Sequence, residues 1–224
     1  ETVIKKMKEA GCYRVNLALE SGNQWVLDNI INKPVRVDKI PEVVELIRKY
    51  GMEVGTFFVV GNIGEKAVET LDQISDSFRL ARLLKVRPFV SYLTPYPGSD
   101  VLRIAQEKNY LIPGFDWDNL VISKLNVTTP EWTPERLQRH VEMELGVTLL
   151  YLVARQPSLI FQFIGKNLKS PRRMVLMILM SLRSLALKFQ SQLFLRPQAP
   201  ARAASPGTAA PAAALMDVLP QRDL

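Results

Sequence analysis

Three corners of the chain gather residues able to recognise a polar small molecule. Glu20, Ser21 and Gly22 follow the apolar run YRVNLAL; Gly61, Gly64 and Glu65 follow EVGTFFVV; and Pro95 and Gly98 follow RPFVSYL in the turn TPYPGS. A carboxylate accepts hydrogen bonds from hydroxyls or from an ammonium, and glycines let backbone approach a ligand with no side chain in the way. Each corner also has a plainer reading. Glu20 can be a solvated strand-end carboxylate or one paired with Lys33, Gly22 can serve the turn alone, and Glu65 can be an acidic residue favoured by a helix amino terminus. A proline-glycine turn that starts a helix needs no function.

The elements that must carry these corners follow from the apolar spacing. Glu53 to Val60 is apolar on both alternating faces, which suits a parallel strand covered by helices on both sides. Before it, Val3 to Ala10 reads as a helix closed by Gly11, Tyr13 to Leu19 as a strand, and Asn23 to Ile31 as a helix. Asp38 is placed to cap a helix that carries Ile40, Val43, Val44, Leu46 and Ile47 inward until Gly51. After it, a helix is expected from about Glu65 to Leu84, a strand from Val86 to Leu93 and a helix from Ser99 to Lys108. Three strand-loop-helix units in succession specify a parallel α/β sheet with its three loops at one edge.

Composition bounds the rest. The 224 residues are 47% hydrophobic, enough for a sizeable core. The chain opens at Glu1 directly in a helical pattern and is expected to be the carboxyl-terminal part of a longer protein. The longest apolar run, Met174 to Leu182, falls far short of the roughly 18 residues a membrane span needs, so a cytoplasmic location is expected. Cys12 is the single cysteine and cannot alone hold zinc or an iron-sulfur cluster; it reads as a small buried residue. His140, the single histidine, reads as part of a solvated helix face. The net charge of +7 is unevenly spread: residues 1 to 144 hold 19 basic and 20 acidic side chains, whereas Leu145 to Met216 hold nine basic and none acidic.

In order and spacing, RVNLALESGNQWVLDNI, KIPEVVELIRKYGMEVGTFFVVGNIGE and YLTPYPGSDVLRIAQEKNYLI resemble the second half of the radical S-adenosylmethionine core, within the group that often carries an upstream cobalamin-binding domain. The resemblance covers about Glu1 to Ile112. It implies the distal half of a parallel-strand partial (β/α) barrel, here strands four to six. Its four-iron, four-sulfur cluster would be held by a CxxxCxxC loop that is absent from this chain and would lie upstream. In that family the reduced cluster cleaves S-adenosylmethionine to a 5′-deoxyadenosyl radical, for hydrogen abstraction or methyl transfer on a small-molecule substrate. A reductant protein such as flavodoxin or ferredoxin is implied as a partner, and cobalamin as a cofactor of an upstream domain. The resemblance puts Glu20 and Ser21 near the ribose or amino acid moiety and Val60 and Gly61 along the adenine. It matches Gly64 and Glu65 to the family's closing GE, and Pro95 to Ser99 to the end of strand six. Ile63 stands where the family usually has proline, Lys66 where it has a small hydroxyl residue, and Trp25 where it often has a basic one.

The expected organisation is a radical S-adenosylmethionine half-core over residues 1–112, a linker over 113–132, a helical extension over 133–196 and a disordered Ala/Pro-rich tail over 197–224. In the extension, Thr133 with Pro134 starts a helix to about Arg155. The basic segment 170–196 reads as a helical appendage that packs on the barrel or on a partner. The other reading of it is an interfacial helix on anionic lipid, held by about 1 kcal/mol per basic residue. No nucleic acid is expected, for want of interleaved aromatics. The alternative to an enzyme fragment is a non-catalytic α/β binding module with a basic membrane-surface or partner-binding helix.

Overall fold

The structure, a computed structural model, describes residues 1–155. The expected helices beyond Arg155, the basic segment 170–196 and the tail 197–224 lie outside the described residues.

Three parallel strands form one sheet in the order β1-β2-β3, with β1 at Arg14–Glu20, β2 at Glu53–Val60 and β3 at Pro88–Tyr92. Six helices accompany them: α1 (Thr2–Glu9), α2 (Gln24–Val26, continued by a π-helical turn Leu27–Ile31), α3 (Ile40–Lys49), α4 (Leu71–Leu84), α5 (Asp100–Glu107) and α6 (Pro134–Arg155). The fold is α/β with a partial strand-helix repeat and not a closed barrel. Among the described residues no helix is long and apolar enough to cross a membrane.

Among the described residues the hydrophobic clusters lie on one face of the sheet. Leu17 and Leu19 of β1, Val54, Phe58 and Val60 of β2, and Val90 and Tyr92 of β3 point to the same side, and every strand residue in the two hydrophobic clusters comes from that side. There, Phe58 packs with Val44 of α3 and Leu80 and Leu84 of α4, while Val60 packs with Ile74 and Phe78 of α4 and Leu137 of α6. Alternation sends Asn16, Ala18, Phe57, Val59 and Phe89 to the opposite face. Phe57 and Phe89 stack there with ring centroids 5.3 Å apart, and Phe89 remains 55% exposed. The sequence leads one to expect a β2 buried on both sides, and its residue types fit that; the described helices supply only one of the two covers.

Thr56 lies on the covered face with its hydroxyl buried and without a hydrogen-bond partner among the described residues. An unpaired buried hydroxyl costs free energy that a methyl does not. Thr56→Val is therefore expected to raise stability by about 1 kcal/mol, read from urea unfolding; an unchanged or lowered midpoint would show that the hydroxyl is satisfied.

Two boundaries differ from the spacing-based reading, each for a local reason. Asp38 does not cap α3; it sits inside a 3₁₀ turn, Val37–Lys39, that leads into the helix. The helix expected from Glu65 starts instead at Leu71, because residues 62–69 double back. Ile63 pairs antiparallel with Val68, Gly64 N–H donates to Ala67 O at 2.8 Å, and Glu69 N–H to Asn62 O at 2.9 Å. Thr70 then starts α4 with a capping box, its hydroxyl accepting from Gln73 N–H while the Gln73 side chain accepts from Thr70 N–H. Residues 113–132, expected as a linker, contribute Val127 and Trp132 to the core cluster around Val60.

Candidate functional site

The corners after the three strands lie at the carboxyl ends of parallel neighbours, the edge at which open α/β sheets bind ligands. The first corner is bent by the backbone itself. Pairing of β1 with β2 slips between Ala18 and Glu20, and Glu20 adopts φ 65°, a conformation uncommon for a non-glycine residue. Lys33 clamps this bulge, its ammonium donating to Ala18 O at 2.7 Å and to Glu20 Oε1 at 3.0 Å. The pairing of Glu20 with Lys33 considered from the sequence is thus present. With 23% of its side chain accessible, Glu20 retains lone pairs for a further donor.

Ser21 and Gly22 turn inward. Ser21 is buried, its hydroxyl 3.4 Å from Glu69 Oε1 and accepting from Asn23 N–H at 3.2 Å. Gly22 abuts α4: its N–H donates to Ser77 Oγ at 2.8 Å, and a Cβ there would stand 2.5 Å from Ser77 Cα and 2.6 Å from Asp76 O. Helix packing, rather than ligand access, requires glycine at this position.

The second corner is covered by the chain itself. Gly61 has φ 81°, and a Cβ on it would meet Leu137 Cδ2 at 2.9 Å and the Trp132 ring at 3.3 Å. Its N–H donates to Glu69 Oε2 at 3.0 Å. The Val60 side chain is wholly inside the helical core. Gly64 is buried against Ile30. Glu65 is not at a helix amino terminus, α4 beginning six residues later; it is exposed and forms an ion pair with Arg103 of α5, while Lys108 Nζ donates to its carbonyl. At the third corner Pro95 is buried, and Ser99 caps α5 by accepting from Leu102 N–H at 3.2 Å.

The structure therefore joins Ser21 and Gly61 through Glu69, holds Glu20 on Lys33 at the β1 bulge, and pairs Glu65 with Arg103 of α5. Glu69 and Trp132 are the residues the sequence reading missed. Trp132, 2% exposed, donates its indole N–H to Glu69 O at 2.8 Å. Burial pushes the Glu69 carboxyl up to about 7 against the opposing pull of its hydrogen bonds from Asn62, Gly61 and Ser21. The T-x-x-Q pattern at Thr70 to Gln73 was the available signal, since it ends the loop at Glu69 and removes that carboxylate from the helix.

Two further polar groupings complete the surroundings. Beyond β3 a cavity of about 350 Å³ is lined by Tyr92, Asp116, Lys124, Asn126 and Gln138, among others. Burial pushes the Tyr92 phenol up to about 12, so it stays a neutral hydrogen-bonding group at ordinary pH. Between α4 and α6, Arg82 pairs with Glu144 at 2.9 Å and donates to Thr148 Oγ1 at 2.8 Å, while Ser75 Oγ lies 2.9 Å from His140 Nε2. His140, read from sequence as solvated, is half-buried in this seam. Cys12 donates its thiol to Arg14 O at 3.3 Å, and no group of three or more potential metal ligands occurs among the described residues.

No protein-family profile matches the chain. It is 30% identical over 119 residues to the cytidylyl-2-hydroxyethylphosphonate methyltransferase of Streptomyces wedmorensis, a match covering 50% of this chain and 22% of that protein. It is 27% identical over 113 residues to an uncharacterized methyltransferase of Pyrococcus horikoshii, covering 50% and 24%. With the bacteriochlorophyllide d C-8(2)-methyltransferase of Chlorobaculum tepidum the identity is 26% over 142 residues, covering 62% and 30%. The relatives are thus methyltransferases, and the matched stretch spans between about a fifth and a third of their lengths.

Proposed function

We propose that this chain is the distal half of a radical S-adenosylmethionine methyltransferase core, furnishing strands four to six and the wall on which the adenosyl moiety rests. The observation that carries the reading is a face of the parallel sheet that no described helix covers, with a partly accessible carboxylate at the sheet's carboxyl edge. Parallel sheets ordinarily have both faces buried. Here Ala18, Phe57 and Val59 form an apolar strip, and Glu20 follows at the bulge two residues beyond Ala18, its carboxylate partly accessible. The order of the corner motifs and the methyltransferase relatives support the same reading.

The residues present fit a nucleoside of this kind. Ala18, Phe57 and Val59 would hold the flat, weakly polar base and exclude water, and Glu20 would accept from ribose hydroxyls or from the amino acid ammonium. Lys33 keeps Glu20 aimed while it does so. S-adenosylmethionine supplies either the methyl group or, on reductive cleavage, the radical. The substrate would then enter from the cavity beyond Tyr92. The iron-sulfur cluster does not fit this chain, because Cys12 is its one cysteine and is spent on Arg14 O. Its ligands, a cobalamin domain and the docking site of a flavodoxin or ferredoxin would belong to other parts of a longer protein.

Titration of S-adenosylmethionine into isotope-labelled chain tests the reading. The resonances of Ala18, Phe57 and Val59 are expected to shift together, and Glu20→Ala is expected to weaken the response about tenfold, the loss of one charge-assisted hydrogen bond. Shifts confined to other residues, or none, would contradict it. Incubation of the same chain with iron and sulfide is expected to give no cluster absorbance.

A further inference from the structure

Glu69 has no solvent-accessible surface, yet it is the hub of a polar cluster built from three separate segments. Its Oε2 accepts from Gly61 N–H at 3.0 Å, Asn62 N–H at 3.1 Å and Asn62 Nδ2 at 2.8 Å. Its Oε1 accepts from Ser21 Oγ at 3.4 Å, and Ser21 Oγ in turn accepts from Asn23 N–H. Its own peptide group is fixed at both ends, by Asn62 O and by the Trp132 indole. Three N–H donors converging on one oxygen leave the carboxylate a single position.

We infer that Glu69 is a positioning residue that locks the corner after β1 and the corner after β2 into one register, so that the two move as a unit. This goes beyond the cofactor reading and stands whether or not a nucleoside binds at that edge. The backbone supports it. Gly61 needs its left-handed conformation to present N–H to the carboxylate, and the doubled-back loop 62–69 brings Glu69 to the corner from only eight residues ahead. Several ionisable groups on the surrounding elements have other partners. Glu20 is held by Lys33, Glu65 by Arg103, Asp76 by Arg79 and Asn23, and Glu144 by Arg82; His140 is turned to Ser75, and Asp72 occupies the first turn of α4. The state of Glu69 is therefore read out chiefly by the amides bonded to it and, through Ser21, by Asn23.

Amide resonances of the 224-residue chain followed from pH 5 to 9 provide the test. In the wild type, Gly61, Asn62 and Asn23 are expected to titrate with one common midpoint near neutrality. In Glu69→Gln all three titrations are expected to vanish. In Ser21→Ala, Gly61 and Asn62 should keep theirs while Asn23 loses its own, which a merely space-filling Glu69 would not produce. The inference is overturned if Asn23 fails to follow Gly61 in the wild type, if none of the three titrates there, or if Gly61 titrates unchanged in Glu69→Gln. Because the wild-type result alone can overturn it, a variant that does not fold leaves the test intact.

Discussion

Glu69→Gln is expected to be at least as stable as the wild type at pH 8 and to lose its advantage by pH 5. The wild-type carboxyl titrates near 7 in the folded chain against an ordinary value of 4.5, because burial penalises its charged form more than its hydrogen bonds favour it. A carboxyl raised in this way binds more protons folded than unfolded. Its contribution is fully present below about 4.5 and is lost as pH rises through about 7, a difference of about 3 kcal/mol at ~1.4 kcal/mol per pH unit. Glutamine keeps an oxygen for Gly61 and Asn62 and carries no charge, so the difference between variant and wild type should shrink as pH falls across that window. Glu69→Ala separates the polar network from the charge. It strands three N–H donors in a dry site and is expected to cost about 3–5 kcal/mol at pH 5, a cost that shrinks as pH rises through about 7 and the wild-type carboxyl ionises. Thermal unfolding of the three proteins at pH 5, 6, 7 and 8 reads both effects; a wild-type minus glutamine difference that is flat across the series would sink the account.

The second large effect belongs to the seam between α4 and α6. Arg82 and Glu144 are 18% and 7% exposed, so removing the carboxylate leaves a guanidinium largely dehydrated with Thr148 as its remaining described partner. Glu144→Ala is expected to cost about 3–5 kcal/mol, little of it screened by 1 M salt because the pair is buried. The double variant Arg82→Met with Glu144→Leu should recover most of that loss, since two apolar side chains need no partner. Equilibrium denaturation in urea distinguishes the cases. A single-variant cost below about 1 kcal/mol, the range of surface pairs, would mean that water reaches the seam. A double variant as unstable as the single would mean that the contact is specifically ionic.

The extent to which the sequence foretold this arrangement depends on the range of the interaction. β2 was legible to the residue, Glu53 to Val60, because its apolar content is a local property that no distant contact has to supply. The parallel order of three strands followed equally from the helix-length connections. The start of α4 was not legible from apolar spacing, which continues through Ala67 and Val68 although these residues belong to a doubled-back loop. Glu69 was less legible still. In EKAVETLDQ it looks like one solvated acid among several, and its burial is imposed by Ser21, 48 residues earlier, and Trp132, 63 residues later. Among the candidate site residues, Glu20 keeps the partial exposure a recognition group needs. The glycines Gly22 and Gly61 have packing reasons that one-dimensional spacing cannot separate from ligand access.

Among the described residues β1 pairs only with β2, and its other edge bears on how the isolated chain behaves in a tube. Its outward carbonyls and amides offer a ready template to any passing strand. Lys33, bound across Ala18 O, and Arg14 on the same strand are the charges that oppose such growth. Strand-to-strand adhesion between molecules is thus expected to limit the solubility of this polypeptide, and neutralising Lys33, which also frees Ala18 O and the Glu20 carboxylate, is expected to lower that limit.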